Sequence, residues 1–255
     1  MISFIVPAYN EQAWIGRSVS AIRSGLESLA EPHEVIVVDD ASSDATAAIA
    51  QQQGAQVVRV EHRQISATRN AGARQAHGDI FFFVDADTLV NAPAIQSALR
   101  SVRAGAVGGG CWPQFDGWLP WWCRPTLLIG EWICRWLNIF PSGACLFCTR
   151  SAFETVSGFN ENYYAGEELA FVSALKRQGR FVIPAETVVT SGRKLRAHSF
   201  LSYARLVTRM VLGGNRGLRS RRGLEYWYEP ERERLLLAAG SSGCGSAPIH
   251  PREHE

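Results

Sequence analysis

The chain has 255 residues, 46% of them hydrophobic and 20% charged, which is enough apolar material for a buried core and too much for global disorder. Its 26 basic and 24 acidic residues leave a formal net charge of +2, which argues against a dedicated nucleic-acid binder. The charge is uneven: Arg193 to Arg222 holds nine basic residues and no acidic one, so the other 225 residues sum to −7.

In chain order, Ile2 to Val6 is a short apolar run ending at Pro7 and reads as a buried strand. Glu11 to about Leu29 has helical spacing through Trp14, Ile15, Val19, Ile22 and Leu26. Glu34 to Val38 is a second strand, ending in Asp39-Asp40, and Asp44 is a candidate cap for a helix from Ala45 to Gln53. A strand at Gln56 to Val60 and a helix at Ser66 to Ala76, closed near Gly78, precede the strand Ile80 to Val84. That strand runs into Asp85-Ala86-Asp87, and Ala92 to Arg103 follows as a helix with Pro93 in its first turn. Gly108-Gly109-Gly110 marks a loop or a close backbone approach. Trp118 to Leu137 holds five of the eight tryptophans with three charges, and suits a core helix, a membrane interface or an acceptor groove. Cys145 and Cys148 lie in the run ACLFC, where i and i+3 face opposite sides of a strand and cannot share one metal. A helix follows Gly166-Glu167-Glu168 and ends at Gly179, with strands at Arg180 to Ile183 and around Val188-Val189.

Strands alternating with helices imply an α/β fold with a mostly parallel sheet covered on both faces. Ligands bind such sheets beyond the carboxyl ends of the strands. Polar clusters fall at three of those ends: Pro7-Ala8-Tyr9-Asn10-Glu11, Asp39-Asp40, and Asp85-Ala86-Asp87. Asp85 and Asp87, two apart in extended backbone, share a side and can hold one hard divalent cation, Mg²⁺ or Mn²⁺. A carboxylate at the second strand end can accept from a base or ribose, and one of Asp39 and Asp40 is expected to face the crevice. Arg69 lies in the helix that starts at the same edge, where a guanidinium can pair with a base or phosphate. The chain has neither a GxGxxG fingerprint after its first strand nor a GxxxxGK[ST] loop, against a nicotinamide dehydrogenase and a P-loop NTPase.

The N-terminus MISFIVPAYNEQ has no secretory pattern, no stretch of 18 residues is free of charge and turn residues, and the six cysteines form no disulfide framework. The expectation is a cytoplasmic protein without a spanning helix.

The strings FIVPAYNE, EVIVVDDASSDAT, ATRNAGARQAHGDIFFFVDADT and GEELAFVSALKRQGRF together resemble family 2 glycosyltransferases of the GT-A fold, over about Ile2 to Phe181. ISATRNAGARQAHGDI with DADT, the GEE box and VTSGRKLRAHS resemble a subgroup of small soluble bacterial members. The resemblance implies transfer of a sugar from a nucleoside-diphosphate donor with inversion. Pro7, Ala8, Tyr9 and Glu11 would line the nucleoside pocket, Asp39 would contact the base with Arg69 assisting, and Asp85 and Asp87 would form the metal–diphosphate motif. Glu168 falls where the family usually has the Asp that serves as general base, and Glu167 competes for that role. Arg193 would close over the diphosphate, and His198 is a candidate third metal ligand.

This reading divides the chain into one catalytic domain, residues 1–237, and a Gly-, Ser- and Pro-rich tail, residues 238–255, expected to be disordered. Residues 1–110 form the donor half and residues 111–237 the acceptor half. Two rivals stay open: a nucleotidyltransferase acting on sugar phosphates, disfavoured because PAYNEQ replaces a glycine-rich basic loop, and a non-catalytic nucleotide-sugar or membrane-surface module. The acceptor is unidentified, with a lipid-linked one as a candidate. In the basic segment Leu201, Ala204, Val207, Val211 and Leu212 share a helical side, as in peripheral contact with an anionic membrane. The alternative is a solvated basic helix packed on the domain.

Overall fold

Buried strands alternate with one-sided helices through the first third of the chain. In a computed structural model, residues 1–208 are described apart from 28, 30, 138, 141, 198, 203, 206 and 207. His198, the 238–255 tail and most of the basic segment lie outside the described residues. Seven elements come first: β1 (Ile2–Ala8), α1 (Ile15–Glu27), β2 (His33–Asp40), α2 (Thr46–Gln52), β3 (Gln56–Val60), α3 (Ile65–Gln75) and β4 (Ile80–Val84). Next are β5 (Thr88–Leu89), α4 (Ala92–Arg103), β6 (Gly108–Gly110), β7 (Pro113–Phe115), α5 (Cys123–Trp136) and β8 (Cys145–Thr149). The chain continues through α6 (Arg150–Thr155), α7 (Glu167–Gln178), β9 (Phe181–Val182), β10 (Val188–Thr190) and α8 (Arg193–Ala197).

The main sheet has seven strands in the order β3-β2-β1-β4-β8-β6-β9. β1 to β4 are mutually parallel, as expected. β8 runs antiparallel to both neighbours, β4 and β6, so the sheet is mixed and continues from the donor half into the acceptor half. A smaller sheet, β5-β10-β7, lies beyond the end of β4.

Side chains alternate between the two faces, as the strand period of two requires. Phe4, Val6, Phe82, Val84 and Phe147 join Ile15, Val19 and Ile22 of α1 and Ile95 and Leu99 of α4 in one core. Ile5, Phe81, Phe83 and Leu146 join Ala71 of α3 and Phe171, Val172 and Leu175 of α7 in the other. Cys145 falls in the first core and Cys148 in the second, so the two thiols face opposite sides of β8. Burial pushes the Cys148 thiol far above its ordinary range.

Three local expectations are revised. The glycine run is a strand, and it is glycine because a Cβ on Gly109 would run into the Val182 carbonyl and the Phe147 ring. The helix expected from Ala45 starts at Thr46; Asp44 reaches past Ala45 and its Oδ1 accepts from the Thr46 amide at 2.9 Å. The tryptophan-rich helix begins at Cys123, and Cys123 is the one residue it buries fully, so it is not a core helix. Among the described residues, no helix is long and apolar enough to cross a membrane.

Candidate active site

The carboxyl ends of β1, β2 and β4 converge, and the loops leaving them are tied together by hydrogen bonds. The parallel register sets Pro7 beside Val38 and Ala8 beside Asp39. Asn10 adopts φ 53° and donates its amide to Ser42 Oγ at 2.9 Å, while its Oδ1 accepts from the Ser43 amide at 2.8 Å. The Glu11 amide donates to Thr46 Oγ1 at 2.8 Å. The first loop is therefore braced against the second before any ligand enters.

The paired aspartates at the end of β2 divide their work. Asp40 accepts from the amides of His62, Arg63 and Gln64 at 2.7, 2.9 and 3.1 Å, and from the Thr68 hydroxyl at 2.9 Å. It shapes the turn into α3. Asp39 has a much lighter load, a long contact of 3.4 Å from the Ser42 amide. Tyr9 stands at the edge with the Arg63 guanidinium stacked 4.4 Å from its ring.

Arg69 lies in the floor of the site. Its side chain is 1% exposed. Nη2 donates to Asp85 Oδ1 at 2.9 Å and Nη1 to Glu167 Oε1 at 3.0 Å. The guanidinium carbon sits 5.1 Å from the Phe159 ring centroid. Gly72, one turn later in α3, lets the helix lie against Ile5 and Val38, where a Cβ would clash. Asn70 holds the other partner: its amide donates to the Phe159 carbonyl at 2.8 Å and its Oδ1 accepts from the Phe159 amide at 2.9 Å. That fixes the loop leading to α7.

A second guanidinium repeats the device. Arg193, at the start of α8, pairs with Glu11 and lies 3.2 Å from Asp87 Oδ2. The Ser191 amide also donates to the Asp87 carbonyl at 3.1 Å. α8 is held from its other side by Asp116, whose Oδ1 accepts from the Gly192 amide at 2.7 Å and from Arg196 at 3.1 Å. Each aspartate of the Asp85-Ala86-Asp87 motif is thus joined through an arginine to a glutamate elsewhere in the chain.

The electrostatics follow from this crowding. Asp85, Asp87, Glu11, Glu167 and Glu168 are five carboxylates near Arg69, Arg193 and Lys194, a formal excess of two negative charges among the described residues. Burial raises Asp85 above the ordinary aspartate range despite Arg69. Burial likewise raises Glu11, against the pull of Arg193. Glu168, in the first turn of α7, is pushed well above the usual carboxylate range by burial and by the adjacent Glu167.

The donor set suits a hard cation. Asp85 and Asp87 offer oxygen only, and among the described residues no three His, Cys, Asp or Glu side chains are placed to hold a metal ion by themselves. Two carboxylates leave the remaining positions of a divalent ion to phosphate oxygens and water, and the negative excess matches its charge.

Pro7, Ala8, Tyr9, Glu11, Asp39, Asp85, Asp87 and Arg193 meet at one edge of the sheet. Arg69 lies beneath that edge with both terminal nitrogens on carboxylates, in place of the base or phosphate contact expected of it. Glu167 and Glu168 start the helix that follows Gly166, which takes φ 69°, a value glycine adopts without strain. Asn70, Asp116 and Lys194 were not legible as parts of the site, because the groups they act on are far away in sequence.

The comparisons with known proteins fall on this edge. The model of glycosyl transferase family 2 matches residues 3–156, and the chain belongs to that family. An undecaprenyl-phosphate 4-deoxy-4-formamido-L-arabinose transferase of Serratia proteamaculans is 37% identical over 100 residues, 36% of this chain and 30% of that protein. A dolichol-phosphate mannosyltransferase of Pyrococcus furiosus is 29% identical over 110 residues, 41% of this chain and 31% of that protein. The matches therefore span about a third of the length of these curated relatives. A mannosyltransferase of Pyrobaculum calidifontis, solved with GDP-Man and Mn²⁺, superposes with a TM-score of 0.61 at 20% identity, covering 97% of this chain and 76% of that one. At that identity the likeness supports the GT-A fold.

Replacing Arg69 by Met would leave buried Glu167 and half-buried Asp85 without their cation. The expected loss is about 3–5 kcal/mol of folding stability. Urea denaturation measures it, and a loss under about 1 kcal/mol would show that the two contacts contribute little.

Proposed function

We propose that the chain is an inverting, metal-dependent glycosyltransferase that moves a sugar from a nucleoside-diphosphate donor to an acceptor hydroxyl. The observation that carries this reading is the Arg69 bridge, which ties the Asp85-Ala86-Asp87 motif to the helix start that presents Glu168. The GDP-Man complex of the Pyrobaculum protein supports a nucleotide-sugar donor, and its Mn²⁺ supports a divalent ion.

The nucleoside would rest against Pro7, Ala8 and Tyr9, with Asp39 as the acceptor of hydrogen bonds from the base. Asp85 and Asp87 would hold Mg²⁺ or Mn²⁺, which supplies positive charge to the departing diphosphate. Arg193 would move from its carboxylate partners to the diphosphate and add a second positive group there. Glu168 takes the proton of the acceptor hydroxyl as that oxygen bonds to the anomeric carbon. Glu167, held on Arg69, positions its neighbour and raises its proton affinity. A single displacement inverts the anomeric centre and needs no covalent nucleophile.

The names of the two relatives carry undecaprenyl phosphate and dolichol phosphate, which supports a lipid-linked acceptor. The two glutamates add a chemical condition. A phosphate oxygen is ionised near neutral pH, needs no base and is repelled by carboxylates, whereas a hydroxyl needs one. A hydroxyl of a lipid-linked saccharide meets both conditions, and such an acceptor would put the reaction at a membrane surface.

Glu168→Gln is expected to lower kcat by about 10²–10⁴-fold with donor affinity unchanged. The base must be ionised, so activity falls as pH drops through its raised pKa. The acidic limb of the wild-type profile should lie above the ordinary glutamate value of about 4.3 and vanish in the variant. Transfer that survives both Glu168→Gln and Glu167→Gln would favour a non-catalytic binding module. Asp87→Ala, or a chelator on the wild type, is expected to weaken donor binding in calorimetry; unchanged affinity would remove the metal from the account.

A further inference from the structure

α5 turns its apolar side outward. Trp121, just before it, is 86% exposed, and Leu128, Trp132 and Trp136 on the helix are 68%, 67% and 75% exposed. Leu128, Trp132 and Trp136 are four residues apart and share one face. The opposite side is occupied: Cys123 packs with Trp122 of the preceding turn and with Leu195 of α8, and Leu127 packs against them. The exposure is therefore not a loose helix awaiting a core. Exposed Arg124 stands four residues before Leu128 at the start of the apolar stripe, and exposed Arg135 lies beside the stripe, paired with Glu131 at 2.7 Å.

We propose that this face of α5 is a membrane-docking surface that seats the enzyme on an anionic bilayer, an inference that rests on the lipid-linked acceptor of the preceding reading. Tryptophan has an apolar body and a polar N–H, and it collects where hydrocarbon meets headgroups. A helix with tryptophan and leucine on one face and arginine beside them lies in that plane with its apolar side sunk into the boundary. α5 has 14 residues, a length of about 21 Å, too short for the roughly 30 Å hydrocarbon core, so it lies on the membrane.

Charge selects this occupant over a second copy of the chain. Arg124 and Arg205 are exposed, as are Phe200 and Leu201, and Phe200 joins the two segments by touching Trp122 at 5.8 Å between ring centroids. Arg205 belongs to the segment from Arg193 to Arg222, which has nine basic residues and no acidic one in the sequence. Two copies meeting through this face would bring like charges together. Anionic headgroups attract the same charges.

The surface is coupled to the site through α8. Leu195 packs under α5 while Arg193, two residues earlier, reaches Glu11 and Asp87. Docking would hold the acceptor side of the site at the headgroup level.

The test uses the full chain with vesicles of phosphatidylcholine alone or mixed with phosphatidylglycerol. The wild type should cosediment with the anionic vesicles, and added salt should weaken it. Trp132→Ser with Trp136→Ser should reduce the partition at least about tenfold while the thermal midpoint and nucleotide-sugar binding stay unchanged. Vesicle binding that is absent in the wild type, or equal in the variant, would overturn the proposal. So would a concentration-dependent dimer, seen by light scattering, that the double variant abolishes. Nucleotide-sugar binding is read on the same samples, so a failed docking surface and a failed donor site are told apart.

Discussion

Arg69 places one positive charge where two negative ones must be held still. Its guanidinium is planar, and its two terminal nitrogens point to different partners, so one side chain ties Asp85 at the end of β4 to Glu167 at the start of α7. A lysine ammonium is a single point charge and could not fix both carboxylates in a plane. Arg69 and Glu167 are removed from water and Asp85 partly so, and the buried pair is tolerable in the interior only because the opposite charges meet there. The cluster also explains why α3 carries Gly72 and Asn70. The glycine brings the helix down onto the sheet, and the asparagine holds the Phe159 loop that delivers α7.

The same cluster sets the chemistry at the surface above it. Burial first, and like charge after it, raises Asp85, Glu11 and Glu168 together, and the formal count of five carboxylates against three cations leaves the site short of positive charge. A divalent ion arriving with a diphosphate is the natural complement. Arg193 meets part of the deficit from the acceptor side, resting on Glu11 and Asp87. It sits on a short helix strapped to Asp116 and packed under α5. Chemistry at the sheet edge and contact at the outer surface are therefore joined by one small element.

Much of this is legible in the amino-acid sequence. β1, β2 and β4 are apolar on both faces because helices cover both faces, and such runs stand out among polar neighbours. Their carboxyl ends point to Glu11, Asp39, Asp85 and Asp87. What stays hidden depends on direction and distance. An apolar strand reads alike in either direction, so the antiparallel course of β8 leaves no trace. Gly108 to Gly110 carry no side chains to reveal a strand; the Phe147 and Phe140 rings that fill their space are far along the chain. Arg69 falls at the correct edge by spacing alone, but its partner Glu167 lies 98 residues away. In α5 both faces are apolar, so spacing could not tell the inward Cys123 and Leu127 from the outward Leu128, Trp132 and Trp136.

The claim that one guanidinium joins the two halves of the site is open to a direct measurement. A double-mutant cycle of Asp85→Asn and Glu167→Gln, followed by urea denaturation, reports whether the two carboxylates act through a shared partner. Their contacts with Arg69 predict strong non-additivity, with a coupling energy of about 1 kcal/mol or more. Effects that simply add, within about 0.3–0.5 kcal/mol, would show that Asp85 and Glu167 are independent and would contradict the account.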